Sequence, residues 1–142
     1  MEDRIHLQVV APSGAVYDGF VSCVQLPLDG GSVGILPRHA PLLGTVVEGV
    51  VKCTQGGEEH FIAVTQGVAH VENNEVTVLV GAAERAEDID PARAVSAEHR
   101  ARERLKSPDP DVDVFRAVAA LHRALARQTA VRMMKKLSKR DG

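Results

Sequence analysis

The chain has 142 residues, 44% hydrophobic but only 3% aromatic with no tryptophan, so its core must be built from Val, Ile, Leu and Ala. That scarcity argues against aromatic stacking platforms for bases or sugars, and no apolar run reaches the roughly 18 residues of a membrane span. A formal charge of −2 conceals a division: residues 1–84 carry −7 and residues 85–142 carry +5, which predicts two modules with different surfaces.

The first segment, MEDRIHLQ, is acidic and has no apolar h-region, so the chain is expected to be soluble and not exported. From there to residue 80 the sequence reads as β. Short segments rich in β-branched residues, at 4–10, 20–28, 50–55, 58–64, 68–72 and 75–80, are separated by turn signals. These are Pro12-Ser13-Gly14, Asp29-Gly30-Gly31, Glu48-Gly49, Gly56-Gly57 and Asn73-Asn74. Strands so short and closely spaced predict an antiparallel sandwich or small barrel. Gly56-Gly57 and Asn73-Asn74 tolerate φ > 0 and predict tight hairpin turns. Cys23 and Cys53 fall in strands at no zinc spacing and are expected to be reduced core thiols.

GILPRHAPLL, residues 34–43, stands apart from its surroundings. Pro37 and Pro41 fix φ and remove two donors, so neither a helix nor a central strand crosses them. The expectation is a stiff loop in which Ile35, Leu36, Leu42 and Leu43 plug one end of the sandwich while Arg38 and His39 point outward. His39 reads as a structural hydrogen-bonding residue rather than a pH switch.

At about residue 84 the pattern changes to Ala, Arg and Glu, with no further glycine before the last residue. Asp90 followed by Pro91 is a helix start, with Asp90 as N-cap. One helix is predicted at about 91–106, and SPDPDVD (107–113) ends it. A second, capped by Asp111 or Asp113, is predicted at about 112–137, giving a helical hairpin. Its apolar stripes are thin: Ala94, Val95, Ala97, Ala101 and Leu105 against Phe115, Val118, Leu121, His122 and Leu125. Such a seam is marginal against the cost of ordering the hairpin, so the hairpin is expected to undock.

Its arginines recur at helical spacing: Arg93, Arg100 and Arg104 on one helix, Arg116, Arg123 and Arg127 on the other. Between residues 123 and 140 seven Lys or Arg occur with no acidic residue, a density that calls for an anionic partner. Catalytic patterns are missing. The six histidines are scattered, and there is neither a phosphate loop nor a GxSxG elbow. The pairs Glu58-Glu59 and Glu87-Asp88 read as turn and helix-start residues.

GSVGILPRHAPLL (31–43), VTVLVGAAERAEDID (76–90), the helix start Asp90-Pro91-Ala92-Arg93-Ala94 and the Arg-rich hairpin occur in an order that resembles the epsilon subunit of F-type ATP synthases. The resemblance covers almost the whole chain. It implies an α+β, two-part protein: an antiparallel, ten-stranded β-sandwich at 1–86, then a regulatory two-helix hairpin at 87–142. It implies a non-catalytic rotor subunit that helps couple proton-driven rotation to ATP synthesis and is carried on the cytoplasmic face of a bacterial plasma membrane, or the stromal face of a thylakoid. Its implied partners are the gamma subunit and the c-ring, met through Ser32, Ile35, Leu36, Pro37, Arg38, His39, Pro41 and Leu42. Gly31 and Ser32 stand where many members carry acidic residues. The helices are implied to extend into the catalytic head, where Arg123, Arg127, Arg132, Lys135 and Lys136 meet an acidic segment of the beta subunit, beside alpha, and block ATP hydrolysis. No metal or required cofactor is implied. ATP is implied as a regulatory ligand of the compact hairpin, on Glu84, Asp90, Arg93, Arg100, Arg123 and Arg127. The residues alone leave a second class open, a free-standing nucleotide-sensing or nucleic-acid-binding adaptor using the same basic helices.

Overall fold

The computed structural model describes residues 4–141; residues 1–3 of the acidic N-terminal segment, and Gly142, lie outside the described residues. Ten strands come first: β1 (Ile5–Ala11), β2 (Gly14–Val21), β3 (Cys23–Leu28), β4 (Gly31–Ile35), β5 (Leu42–Val46), β6 (Gly49–Gln55), β7 (Glu58–Val64), β8 (Gly67–Glu72), β9 (Glu75–Val80) and β10 (Ala83–Arg85). A 3-10 turn at Ala86–Asp88 leads to α1 (Pro91–Lys106) and α2 (Val114–Asp141).

The strands run in the order β10-β7-β6-β3-β5-β8-β9-β1-β2, with β4 added to β3. All pairs are antiparallel except β1 with β9. β3 and β5 meet where Leu28 stands opposite Val46, and around this corner the sheet folds over into two layers. Alternation explains the core. Ile5, Leu7, Val9 and Ala11 of β1 are buried while the residues between them are half-buried. Inward residues of both layers form an aliphatic cluster that also takes in the Tyr17 ring.

Several expectations are corrected in detail. The segment 20–28 is two strands, because the chain changes layer at Ser22, whose N–H donates to the Thr54 carbonyl (2.8 Å). Strands β4 and β5 escape a propensity reading because Gly31, Ser32, Gly34 and Gly44 dilute them. Both tight turns form as expected: Gln55 pairs with Glu58 across Gly56 (φ 57°) and Gly57 (φ 84°), and Glu72 with Glu75 across Asn73 (φ 52°) and Asn74 (φ 61°). The thiols are free, but only Cys53 is a core residue; Cys23 is half-exposed. Cys23 is opposite Thr54 and Cys53 opposite Val24, so the two side chains lie on opposite faces of the sheet and cannot bridge. Burial pushes the Cys53 thiol up to about 11, leaving it protonated and inert.

β7 departs from alternation: Phe61, Ile62, Ala63 and Val64 are all buried. Ile62 and Val64 enter the sandwich core, while Phe61 and Ala63 join a second cluster with Ala94, Ala126, Ala130 and Val131 of the helices. A strand covered on both faces reads as a continuous apolar run. The helices therefore sit on the outer side of β6 and β7. Arg85 secures the point of departure: its Nε donates to the Val16 carbonyl (2.8 Å), and its guanidinium lies over the Tyr17 ring (5.0 Å).

Candidate functional site

The helical hairpin begins as the sequence dictates. Asp90 Oδ1 accepts from the N–H groups of Ala92 (3.0 Å) and Arg93 (3.4 Å), with Pro91 opening the helix. In the linker, Ser107 Oγ accepts from Asp109 N–H (3.2 Å) and Asp109 Oδ1 from Asp111 N–H (2.9 Å). Asp113, not Asp111, caps α2, accepting from Arg116 N–H (3.1 Å). The second helix accordingly runs Val114–Asp141 rather than 112–137.

The seam between the helices differs from the expected stripe. Phe115 is 90% exposed, and Val95 and Leu105 are also exposed. Ala94 and Ala101 of the expected α1 stripe, seven residues apart, are buried, and on α2 the buried residues are Ala117 and Ala124, also seven apart and outside the expected stripe. Alanines repeating every two turns let the helix axes approach closely, at about one methyl of burial per contact. The polar part of the seam is a clasp: Gln128 Nε2 donates to Glu98 Oε1 (2.8 Å), and Arg102 Nε donates to Glu98 Oε2 (2.7 Å). Gln128 first, then Arg102, holds the Glu98 carboxyl below the ordinary glutamate range. A lowered carboxylate contributes stability above its unfolded value and loses it as pH falls through the folded one. Gln128→Ala is therefore expected to raise the Glu98 titration midpoint, read by NMR, and to reduce the acid-dependent loosening of the contact between the two helices.

Close approach of alanines leaves room for arginines. A cavity of about 310 Å³ between the helices is lined by Ala97, Ala101, Ala120 and Ala124, with Arg100, Arg104, Arg123 and Arg127 around them. Its lining includes no carboxylate. On the sandwich side Arg123 and Arg127 also wall a smaller recess with Thr65 and Glu84, and Arg127 Nε lies 3.3 Å from Glu84 Oε2. Four of the residues implied for ATP, namely Glu84, Arg100, Arg123 and Arg127, are thus brought together. Asp90 and Arg93 are not. Asp90 is occupied as the helix cap, and Arg93, 90% exposed, lies 3.8 Å from it, seven residues or about 10 Å of helix from Arg100. Arg104 is outside the set that the resemblance implies, although its spacing of four from Arg100 places it on the same face. Convergent guanidinium groups with no lining carboxylate suit a polyphosphate, which accepts bidentate hydrogen bonds. Farther along α2, Arg132, Lys135 and Lys136 carry the basic run onward, and Arg132 donates to Thr129 Oγ1 (3.1 Å).

At the opposite end, the loop after β4 is a turn with Pro37 and Arg38 at its centre, closed by His39 N–H to the Leu36 carbonyl (3.2 Å). Arg38 takes φ 66°, a left-handed conformation in a non-glycine residue, and its N–H donates to Asn74 Oδ1 (2.6 Å). His39 Nδ1 lies 2.7 Å from the Ala40 carbonyl. The plug is half of what was expected: Ile35 is buried and Leu42 packs on the core, but Leu36 (63%) and Leu43 (75%) are exposed. Ser32 and Pro41 are exposed, and Pro37 is half-buried. Leu43 shares the outward face of β5, β8 and β9 with Thr45, His70 and Thr77, and on that face Val68 stands opposite Leu79, both exposed. Sequence reasoning missed this face, because only the register says which side of each strand is outward. Among the described residues no helix is long and apolar enough to cross a membrane, and no cluster of three or more His, Cys, Asp or Glu could hold a metal.

Comparison with known proteins agrees with this architecture. Residues 4–86 match the family "ATP synthase, Delta/Epsilon chain, beta-sandwich domain", and residues 87–131 match "ATP synthase, Delta/Epsilon chain, long alpha-helix domain". The ATP synthase epsilon chain of Synechococcus elongatus is 49% identical over 100 residues, 70% of this chain and 73% of that one. That of Pelotomaculum thermopropionicum is 46% identical over 106 residues, 74% and 79% of the two chains. The fold resembles a chain of the Euglena gracilis mitochondrial ATP synthase (TM-score 0.78, 22% identity, covering 91% of this chain and 82% of that one). With both parts matched in order and identity of this level over most of its length, the chain belongs to the epsilon-chain family of ATP synthases, whose members are non-catalytic subunits of that enzyme.

Proposed function

We propose that this subunit sits in the central stalk at the foot of the gamma subunit and restrains ATP hydrolysis with its helices, at the cytoplasmic face of a bacterial membrane or the stromal face of a thylakoid. The observation that carries the regulatory part is the arginine-lined cavity bridged by an alanine seam. Two weakly packed helices that share a polyanion site can be clamped by a ligand that binds only the closed pair. ATP in the cavity would favour the docked hairpin, and without it the basic face of α2, with Arg132, Lys135 and Lys136, is available to an acidic segment of the beta subunit. The Glu84–Arg127 contact supports this reading, since it ties the same cavity to the sandwich (3.3 Å).

Stalk contact is supported by the other end of the molecule. Leu43, Val68 and Leu79 are exposed apolar residues on one outward face of the sandwich, and Leu36 is exposed in the loop stiffened by two prolines. A gamma-type coiled coil is the partner proposed for this face, with the c-ring below the 32–42 loop. Stable co-purification with such a coiled coil, abolished in a Leu43→Glu, Val68→Glu variant that still folds, is the expected result. Retained binding by that variant removes the assigned face, and salt-steep binding of the isolated chain to DNA favours the adaptor instead.

A further inference from the structure

We propose that the sandwich carries its own acidic track for the basic helix α2, which holds the hairpin docked and must be displaced by any acidic partner. Carboxylates from three separate places on the sandwich face α2 at successive levels. Glu48, before β6, lies 3.9 Å from His122 Nδ1; its side chain is only 15% exposed and also accepts from Gln66 Nε2 (3.5 Å). Glu84 on β10 meets Arg127 at 3.3 Å. Glu58 and Glu59, at the start of β7, share a cavity of about 530 Å³ with Leu137 and Arg140 near the end of the helix. From 122 to 140 the helix rises about 27 Å, and the carboxylates meet it at two places along that length, around His122 and Arg127 and again near Arg140.

The sandwich is the acidic half of the molecule, and part of its excess charge is concentrated along this line rather than spread over the surface. The apolar contact beneath sets Ala126, Ala130 and Val131 against Phe61 and Ala63, with Met133, Met134 and Leu137 packed at its margin, and the carboxylates add a charge contribution to that docking. The attraction is incomplete at each end. Glu59 is also paired with Lys52 (3.1 Å) and Glu58 lies 3.9 Å from His60, while the Glu48 contact is ionic only when His122 is protonated. Glu48 is the charged sandwich residue lining the cavity beside His122; Arg123 and Arg127 are its nearest charged neighbours along the helix, facing Glu84. A track of several weak contacts is a latch that one partner offering many carboxylates can replace step by step. That last consequence rests on the inhibitory reading above; the latch itself does not.

The test uses the full-length chain without nucleotide, carrying a fluorophore pair on Ser13→Cys and Ser138→Cys with Cys23→Ser and Cys53→Ala, followed by single-molecule energy transfer. Partly exposed ion pairs are each worth a factor of about two to five. The Glu48→Gln, Glu58→Gln, Glu59→Gln, Glu84→Gln variant is expected to lower the docked-to-undocked ratio about tenfold at low salt. Raising KCl to about 1 M, where screening acts within about 3 Å, should lower the ratio of the parent chain and scarcely move the variant. The exchanged pair Glu84→Arg, Arg127→Glu should stay near the parent, whereas Arg127→Glu alone should open. A fourfold-neutralised chain within twofold of the parent, with the same salt response, overturns the latch. A variant that opens but leaves hydrolysis by the assembled complex unchanged leaves the latch standing and overturns the inhibitory reading instead.

Discussion

Alanine in place of Gly67 is expected to cost the protein about 3 kcal/mol, a large effect for the addition of a single methyl group. Gly67 opens β8 directly opposite Val80, and its φ is not the reason glycine is needed. A Cβ there would collide with the Leu79 carbonyl oxygen and lie 2.7 Å from Val80 Cα. Both obstacles are backbone, so no rotamer change relieves them. β8 would have to move away from β9, and with it Ala69 and Val71 would leave the core. Gly34→Ala is the control, since nothing lies within 4 Å of its added methyl. Denaturant unfolding of the full chain should show a large loss for Gly67→Ala and a change within about 0.5 kcal/mol for Gly34→Ala. A loss below about 1 kcal/mol for Gly67→Ala would mean that β8 and β9 are not as closely apposed as described.

Replacing Arg100, Arg123 and Arg127 together by glutamine is expected to lower ATP affinity by about three orders of magnitude, roughly tenfold for each guanidinium–phosphate hydrogen-bonding group removed. These residues line the cavity, and the alanines between them supply no competing carboxylate. Arg93→Gln should change affinity less than about threefold, because Arg93 lies outside the cavity, 3.8 Å from Asp90. Arg104→Gln should behave like its neighbours on the wall rather than like Arg93. Calorimetric titration of the full chain with ATP, repeated with adenosine, reads these differences directly. An effect of Arg93→Gln equal to that of Arg100→Gln would place the ligand along the outer face of α1 instead.

Much of the architecture is legible from residue order, and the failures share a physical cause. Turn chemistry locates both hairpins, because φ > 0 is a local demand that Gly56-Gly57 and Asn73-Asn74 meet alone. Asp90-Pro91 fixes the start of α1 for the same reason. Non-local facts are hidden. Ser22 looks like the middle of a strand, and only its bond to Thr54 reveals a change of layer. Alanine is apolar at every position of α2, so periodicity does not separate Ala117 and Ala124, which face α1, from Ala126 and Ala130, which face β7. Phe115 and Leu105 draw attention by size, although the packed surface excludes them. The arginines are visible as a charge pattern; that four of them converge on one cavity depends on how closely the alanines let the helices approach.

The helical hairpin is the proposed brake on ATP hydrolysis. ATP hydrolysis by the assembled complex, with the full chain compared against one ending at Glu87, tests it most directly. The shortened chain keeps every strand and the whole main core cluster, and gives up the cover over Phe61 and Ala63. Faster hydrolysis with the shortened chain, at equal assembly, is the predicted result. An unchanged rate with the sandwich still bound would contradict it, and the basic run of α2 would then serve some other partner.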